Sequence, residues 1–233
     1  MQALRNKTVV LCMKGLEMGT GERLSVIAGE LLHPSCTVAV WLGPGHVQEF
    51  YRGIPNCMVI DSENEQVKRR LVQAFSSDLI RFYYGGDMIG NEVGAAAKNV
   101  VGIAAGFLDG VEMSSLKGAL MSRGTREVAR LIRAMGGNEL SAYGLCHLGD
   151  YEATVFSPYS HNRQFGESFI RHQDYHRLAE GYYTVEALMV LSERYQVELP
   201  ICKAVHAILY ENADPREQLT ELLRRGLRAE FDD

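Results

Sequence analysis

The chain has 233 residues and a mass of 26.0 kDa, enough for one large domain or two small ones with a substantial core. Its 24 basic and 29 acidic side chains give a formal charge of −5, which argues against a nucleic-acid binder, whose footprint is a basic excess. With 46% hydrophobic and 23% charged residues the composition is that of a folded globular protein, and no apolar run approaches the roughly 20 residues of a membrane span.

The first residues, Met1 to Lys7, lack the long apolar stretch of a secretory leader. The cysteines (Cys12, Cys36, Cys57, Cys146, Cys202) are odd in number, scattered and never in a C-x-x-C pair. That usage fits free thiols in a reducing compartment rather than a disulfide frame or zinc site, so a cytoplasmic protein is expected.

In chain order, Thr8 to Met13 is a short apolar, β-branched run of the kind that forms a buried parallel strand. Gly19-Thr20-Gly21-Glu22 then opens a helix with Leu24, Ile27, Ala28, Leu31 and Leu32 at helical spacing. A second strand, Thr37 to Leu42, stops at Gly43-Pro44-Gly45, and a third covers Cys57 to Ile60. A helix follows over Glu65 to Phe75, then a fourth strand from Leu79 to Tyr84 that ends at Gly85-Gly86. Strands alternating with helices imply an open, mostly parallel sheet.

Beyond Gly86 the periodicity is helical throughout: Glu92–Leu108, about Ser115 to Met135, Val185–Tyr195, Pro200–Tyr210, and a last helix started by Asp214-Pro215. These readings predict an α/β unit over residues 1–86 and an all-α unit over 87–233, divided at about Gly85–Asp87. The G-x-G-x-x-G turn by which a parallel sheet cradles a dinucleotide does not follow the first strand; Met13-Lys14-Gly15-Leu16-Glu17 stands there.

Between Glu92 and Asp109 the only charged side chain is Lys98. Its neighbours on one helix face are Gly94, Ala95, Val101, Gly102, Ala105 and Gly106, a stripe nearly bare of side chains. Either another helix packs tightly there, with Lys98 reaching out to water, or a ligand approaches a buried ammonium. A second segment, Gly144 to Asp150 with Thr154 and Ser157 to Gly166, is rich in glycine and short polar side chains. Ser160, His161, Asn162 and Arg163 offer donors that suit a phosphate monoester, or equally a polar loop capping a helix that begins near Arg163. Lys14 is an anion contact or a solvated turn residue. His172 and His176 lie four apart and read as a surface pair rather than a metal site. The Arg224-Arg225-Gly226-Leu227-Arg228 run places cations at a helix C-terminus, where they suit its dipole.

Nine ordered segments resemble the NAD(P)-dependent sn-glycerol-3-phosphate dehydrogenase family. They are Lys14-Gly15-Leu16-Glu17, Gly43-Pro44, Phe82-Tyr83 to Gly90, Lys98-Asn99-Val100 with Gly106 and Asp109-Gly110, Arg123-Gly124 with Glu127, Gly149-Asp150 with Thr154, Ser160-His161-Asn162-Arg163, Glu180-Gly181, and Pro200-Ile201 with Leu209-Tyr210. The resemblance implies part of a Rossmann-like parallel sheet followed by a helical domain of the 6-phosphogluconate-dehydrogenase type. It further implies hydride transfer between NAD(P)H and glycerone phosphate, giving sn-glycerol 3-phosphate.

On that resemblance, Lys98 is the general acid/base, its ammonium made more acidic by burial and a second cation, and Asp150 orients it or bonds the substrate. Lys14, Asn99, Thr154, Ser160, Asn162 and Arg163 are the expected substrate contacts. Lys14, Gly43, Val47, His161 and Glu180 are the expected contacts to NAD or NADP, with a site left incomplete by the missing first nucleotide-binding half. A small phosphorylated substrate and a homodimer are expected, with no nucleic acid and no metal.

The sequence departs from the family pattern at His161, which replaces an arginine, and at Ser115, Gly45-His46 and Tyr151. Two other readings stay open: a remnant that binds a phosphorylated metabolite without redox chemistry, and a dehydrogenase for β-hydroxyacid-type substrates. Asp150, Thr154 and Ser160 to Arg163 favour a phosphate-bearing substrate over the last.

Overall fold

The computed structural model of the chain describes residues 4–45 and 47–224. His46 and Arg225 to Arg228, named above, lie outside the described residues. Strands β1 (Thr8–Leu11), β2 (Thr37–Leu42), β3 (Asn56–Asp61) and β4 (Ile80–Tyr84) form one sheet in the order β1-β2-β3-β4. Helix α1 (Leu24–Leu31) crosses from β1 to a parallel β2, and α3 (Glu65–Phe75) crosses from β3 to a parallel β4. The sheet is therefore mostly parallel, but β2 and β3 pair antiparallel. A parallel return needs a crossover of a dozen or more residues, usually a full helix. The link from β2 to β3, Gly43 to Pro55, is long enough for a crossover but holds only the five-residue helix α2 (Val47–Tyr51) in place of a full one, and Gly43, Gly45 and Gly53 are all at positive φ, so the chain turns back beside β2.

The two faces of β2 serve two cores, as the two-residue strand period requires. Val38, Val40 and Leu42 face Leu11, Leu24, Ala28 and Ala95, whereas Ala39 and Trp41 face Val67, Leu71, Val72 and Phe82. Asn64 caps α3 by accepting from the Val67 amide at 3.1 Å, which fixes the start of that helix where the sequence places it.

The second layer is built on α4 (Met88–Gly110), 23 residues and about 34 Å long, buried from Gly90 to Leu108. A helix buried on every side has to be surrounded by other helices. Around it stand α5 (Lys117–Ala134), α6 (His161–Ile170), α7 (Glu180–Tyr195), α8 (Pro200–Tyr210) and α9 (Pro215–Arg224). α4 starts a turn earlier than its apolar pattern predicts because Asp61, at the end of β3, accepts from the Asp87 amide at 3.0 Å and from Asn91 Nδ2 at 2.8 Å. α7 likewise begins at Glu180 rather than Val185. His172 follows α6 at φ +53°, so the His172/His176 pair shares no helix face.

The glycine stripe of α4 receives another helix. A Cβ at Gly106 would collide with the Arg163 carbonyl, and one at Gly166 with the Ile103 carbonyl, so α4 and α6 cross backbone to backbone. Among the described residues, no helix is long and apolar enough to cross a membrane. All five cysteines are unpaired.

Candidate functional site

Lys98 does not reach out to water. It is 7% exposed, and its Nζ lies 3.0 Å from Asp150 Oδ2 and 2.8 Å from Thr154 Oγ1. The same Asp150 oxygen takes Lys14 Nζ at 2.7 Å, and Lys14 also donates to the Gly43 carbonyl at 3.0 Å. Lys14 follows β1 and Gly43 follows β2, so both stand at the C-terminal ends of the parallel pair, the edge where an α/β sheet presents its ligands. Asp150 closes a 3-10 turn (Leu148–Asp150), and Thr154 lies in a single π-helical turn (Glu152–Phe156) whose hydroxyl donates back to the Asp150 carbonyl at 2.7 Å. π-Turns of this kind concentrate at functional sites.

One carboxylate thus stands between two ammonium groups. Burial pulls the Lys98 ammonium down to about 8, against the raising pull of Asp150, and the charge on Lys14 lowers it further. Each ammonium has three N–H donors. Among the described residues Lys98 and Lys14 each spend two, which leaves each one donor for a ligand oxygen.

Next to Lys98, Asn99 Nδ2 donates to Glu180 Oε2 at 3.0 Å. Asn162 Oδ1 accepts from the Gly181 amide at 2.9 Å. Gly181 has to be glycine there, since a Cβ would lie 2.6 Å from the Asn99 carbonyl oxygen. The structure therefore brings Lys14, Gly43, Lys98, Asn99, Asp150, Thr154, Asn162 and Glu180 together around the turn of α4 that carries Lys98.

Other expected site residues lie elsewhere or do other work. The Arg163 guanidinium is held by Asp109 at 2.7 Å and Glu167 at 3.1 Å, about three helical turns along α4 from Lys98. Asp109 lies at the end of α4 and gathers Lys117 and Ser114 as well, which locks the loop before α6 to two other helices. Ser160 caps α6, its Oγ accepting from the Arg163 amide at 3.3 Å. His161 is exposed and bonds the Tyr175 hydroxyl at 2.8 Å. Val47 is 65% exposed at the start of α2. Sequence reasoning missed the buried contact between His147 and Tyr151 behind Asp150; the four-residue spacing and the departure from the family pattern at Tyr151 were its signals. A cavity of about 570 Å³ between α1 and the start of α3, lined by Ser25, Glu30, Cys36, Ser62 and Asn64, holds none of the expected site residues.

Two family models match the chain. That for the NAD-dependent glycerol-3-phosphate dehydrogenase N-terminus covers residues 1–68, and that for the C-terminus covers residues 87–220. Among curated relatives, a glycerol-3-phosphate dehydrogenase [NAD(P)+] of Fusobacterium nucleatum is 35% identical over 97% of this chain and 70% of its own length. One from Thermus thermophilus is 38% identical over 95% of this chain and 70% of its own. The chain is also similar to a crystal structure of glycerol-3-phosphate dehydrogenase from Coxiella burnetii, with a TM-score of 0.85 and 32% identity over 94% of this chain and 69% of the other.

Proposed function

This chain belongs to the NAD-dependent glycerol-3-phosphate dehydrogenase family, and from that premise we propose that Lys98 moves the proton as glycerone phosphate and sn-glycerol 3-phosphate interconvert. NAD(P)H supplies the hydride that reaches C2 of the ketone. Lys98 Nζ gives its proton to the C2 oxygen, which becomes the hydroxyl; in the reverse direction neutral Lys98 takes that proton back from the hydroxyl. A lysine serves both directions only if its acidity lies near the working pH, and the buried position of Lys98 supplies that. Asp150 holds both ammonium groups in place. Lys14, Asn99, Thr154 and Asn162 hold the substrate, while Arg163 and Ser160 shape the loop behind it.

The residues present fit one end of the cofactor. Lys14, the Gly43 carbonyl and Glu180 offer a polar wall for the nicotinamide and its ribose. The helix that follows β1 does not suit the pyrophosphate, because its first-turn amide is already taken: Ser25 N donates to Glu92 Oε1 at 2.9 Å and Arg23 pairs with Glu92 Oε2 at 2.8 Å. We assign residues 1–86 to the nucleotide-binding side and 87–233 to the substrate side. The exposed Leu140, Leu178 and Tyr183 suit a homodimer, which light scattering of the purified chain would test. The unpaired cysteines suit a cytoplasmic location.

The observation that carries this reading is the Lys98–Asp150–Lys14 arrangement. Its test is thermal melting with millimolar sn-glycerol 3-phosphate, with inorganic phosphate as control. The expected result is a higher Tm with the phosphorylated polyol, and loss of most of that shift in Lys98→Met. An equal shift in both proteins would remove Lys98 from the substrate site.

A further inference from the structure

Behind Asp150 lies a histidine–tyrosine couple that the chemistry above does not use. His147 and Tyr151 flank the 3-10 turn that ends in Asp150, and both are fully buried. His147 Nδ1 lies 2.8 Å from the Gly94 carbonyl, and Nε2 lies 2.7 Å from the Tyr151 hydroxyl. A carbonyl only accepts, so Nδ1 carries the hydrogen, Nε2 is the acceptor, and the Tyr151 O–H donates to it. The rings meet edge to face, with centroids 4.8 Å apart.

The surrounding backbone makes room for this couple. A Cβ at Gly94 would stand 3.1 Å from His147 Cβ, and one at Gly124 would stand 3.3 Å from the Tyr151 oxygen. The Gly94 carbonyl lies one helical turn before Lys98, at the position that accepts from the Lys98 amide in a regular α-helix. The couple therefore ties the turn bearing Asp150 to the very turn of α4 that bears Lys98.

We propose that His147 and Tyr151 are positioning residues that fix the Asp150 carboxylate against the Lys98 ammonium. The proposal rests on the reading of Lys98 as the proton carrier. Burial pushes the His147 imidazole down to about 4, so it stays neutral and keeps this bonding pattern at neutral pH. The charged or titratable groups facing Lys98 are Lys14 from the loop after β1, Asp150 and His147 from the segment before the π-turn, and Glu180 from α7. Of these, Asp150 is the one that His147 and Tyr151 set in place. If its turn slackens while Lys98 stays buried, the main pull that keeps the ammonium charged is lost and Lys98 becomes more acidic.

The test follows the ¹³Cε resonance of Lys98, assigned with Lys98→Met, through a pH titration of wild type, Tyr151→Phe and His147→Asn. Both variants break the His–Tyr bond: phenylalanine keeps the Tyr151 ring, and asparagine keeps a donor for the Gly94 carbonyl. The expected result is a Lys98 acid constant raised threefold or more in each variant, with no further rise in the double variant, since both remove one bond. His147→Ala, which also frees Gly94, provides the same readout should either substitution fail to fold. Folded variants that are less stable but titrate Lys98 as wild type does would overturn the positioning role and leave the assignment of Lys98 standing. A wild-type Lys98 that titrates as an ordinary lysine would overturn both.

Discussion

Lys98 and Asp150 meet at 3.0 Å, Nζ to Oδ2, through the same carboxylate oxygen that Lys14 approaches at 2.7 Å. A buried acid between two buried or half-buried bases is stable only while all three keep their places, because each charge has given up its hydration for the others.

Replacing Asp150 with asparagine leaves two ammonium groups facing each other without a counter-charge. Breaking a buried pair in this way costs about 3–5 kcal/mol. Chemical denaturation of Asp150→Asn at pH 7 is expected to show a loss of that size. A loss below about 1 kcal/mol would mean that Asp150 is hydrated and the cluster open to water.

The burial of Lys98 also sets a pH dependence of stability. Its ammonium is held at about 8 in the folded chain, against 10.5 for the ordinary side chain. Between those values the unfolded chain binds the proton and the folded chain does not, so stability rises with pH across the window. Below about 8 the penalty is full, and it is on the order of 3 kcal/mol. Comparing wild type with Lys98→Met cancels the other lysines: wild type gains on the variant from pH 8 to 10. A constant difference over that range would contradict the burial.

The crossing of α4 and α6 makes a prediction about glycines. Gly106→Ala and Gly166→Ala drive a methyl group into the backbone of the facing helix, and overpacking of this kind costs about 1–3 kcal/mol or more. Gly118, on α5, has open space at its Cβ position. Gly118→Ala therefore gains helix propensity, about 1 kcal/mol, at no steric cost. Thermal melting of the three variants separates the two cases by sign.

The Arg163 guanidinium pairs with Asp109 and Glu167, and a structural role for it makes a prediction of its own. Arg163→Ala strips Asp109 of one of its two cations and is expected to lower stability by about 1–3 kcal/mol while changing affinity for sn-glycerol 3-phosphate less than threefold. A hundredfold loss of affinity at unchanged stability, measured by calorimetry, would return Arg163 to the phosphate.

The contrast between Arg163 and Lys98 explains how much of this protein is legible in its sequence. β2, α3 and α8 fall on the residues that periodicity picks out, because apolar spacing and local caps such as Asn64 decide them. Lys98 is legible too: the only charge between Glu92 and Asp109, in a long run of small residues, has to be accommodated somewhere. Its partner Asp150 enters through the family resemblance rather than through spacing. Arg163 reads as a phosphate donor because it sits among polar side chains, yet its partner Asp109 lies on another helix, 54 residues away, and only the folded chain brings them together. The antiparallel β2–β3 pair is hidden for a related reason. Strand direction depends on how the link from Gly43 to Pro55 turns, not on the strands' own composition. Tyr151 stands out in the sequence only as a departure from the family pattern, and its pairing with His147 is hidden until Gly94 and Gly124 are seen to open the space the two fill.

One measurement bears on all of this at once: the pH titration of the Lys98 ε-carbon with and without sn-glycerol 3-phosphate. The account predicts a midpoint near 8 that moves upward when the phosphorylated ligand binds, since a nearby anion favours the ammonium. A midpoint near 10.5, the ordinary lysine value, that ignores the ligand would contradict it.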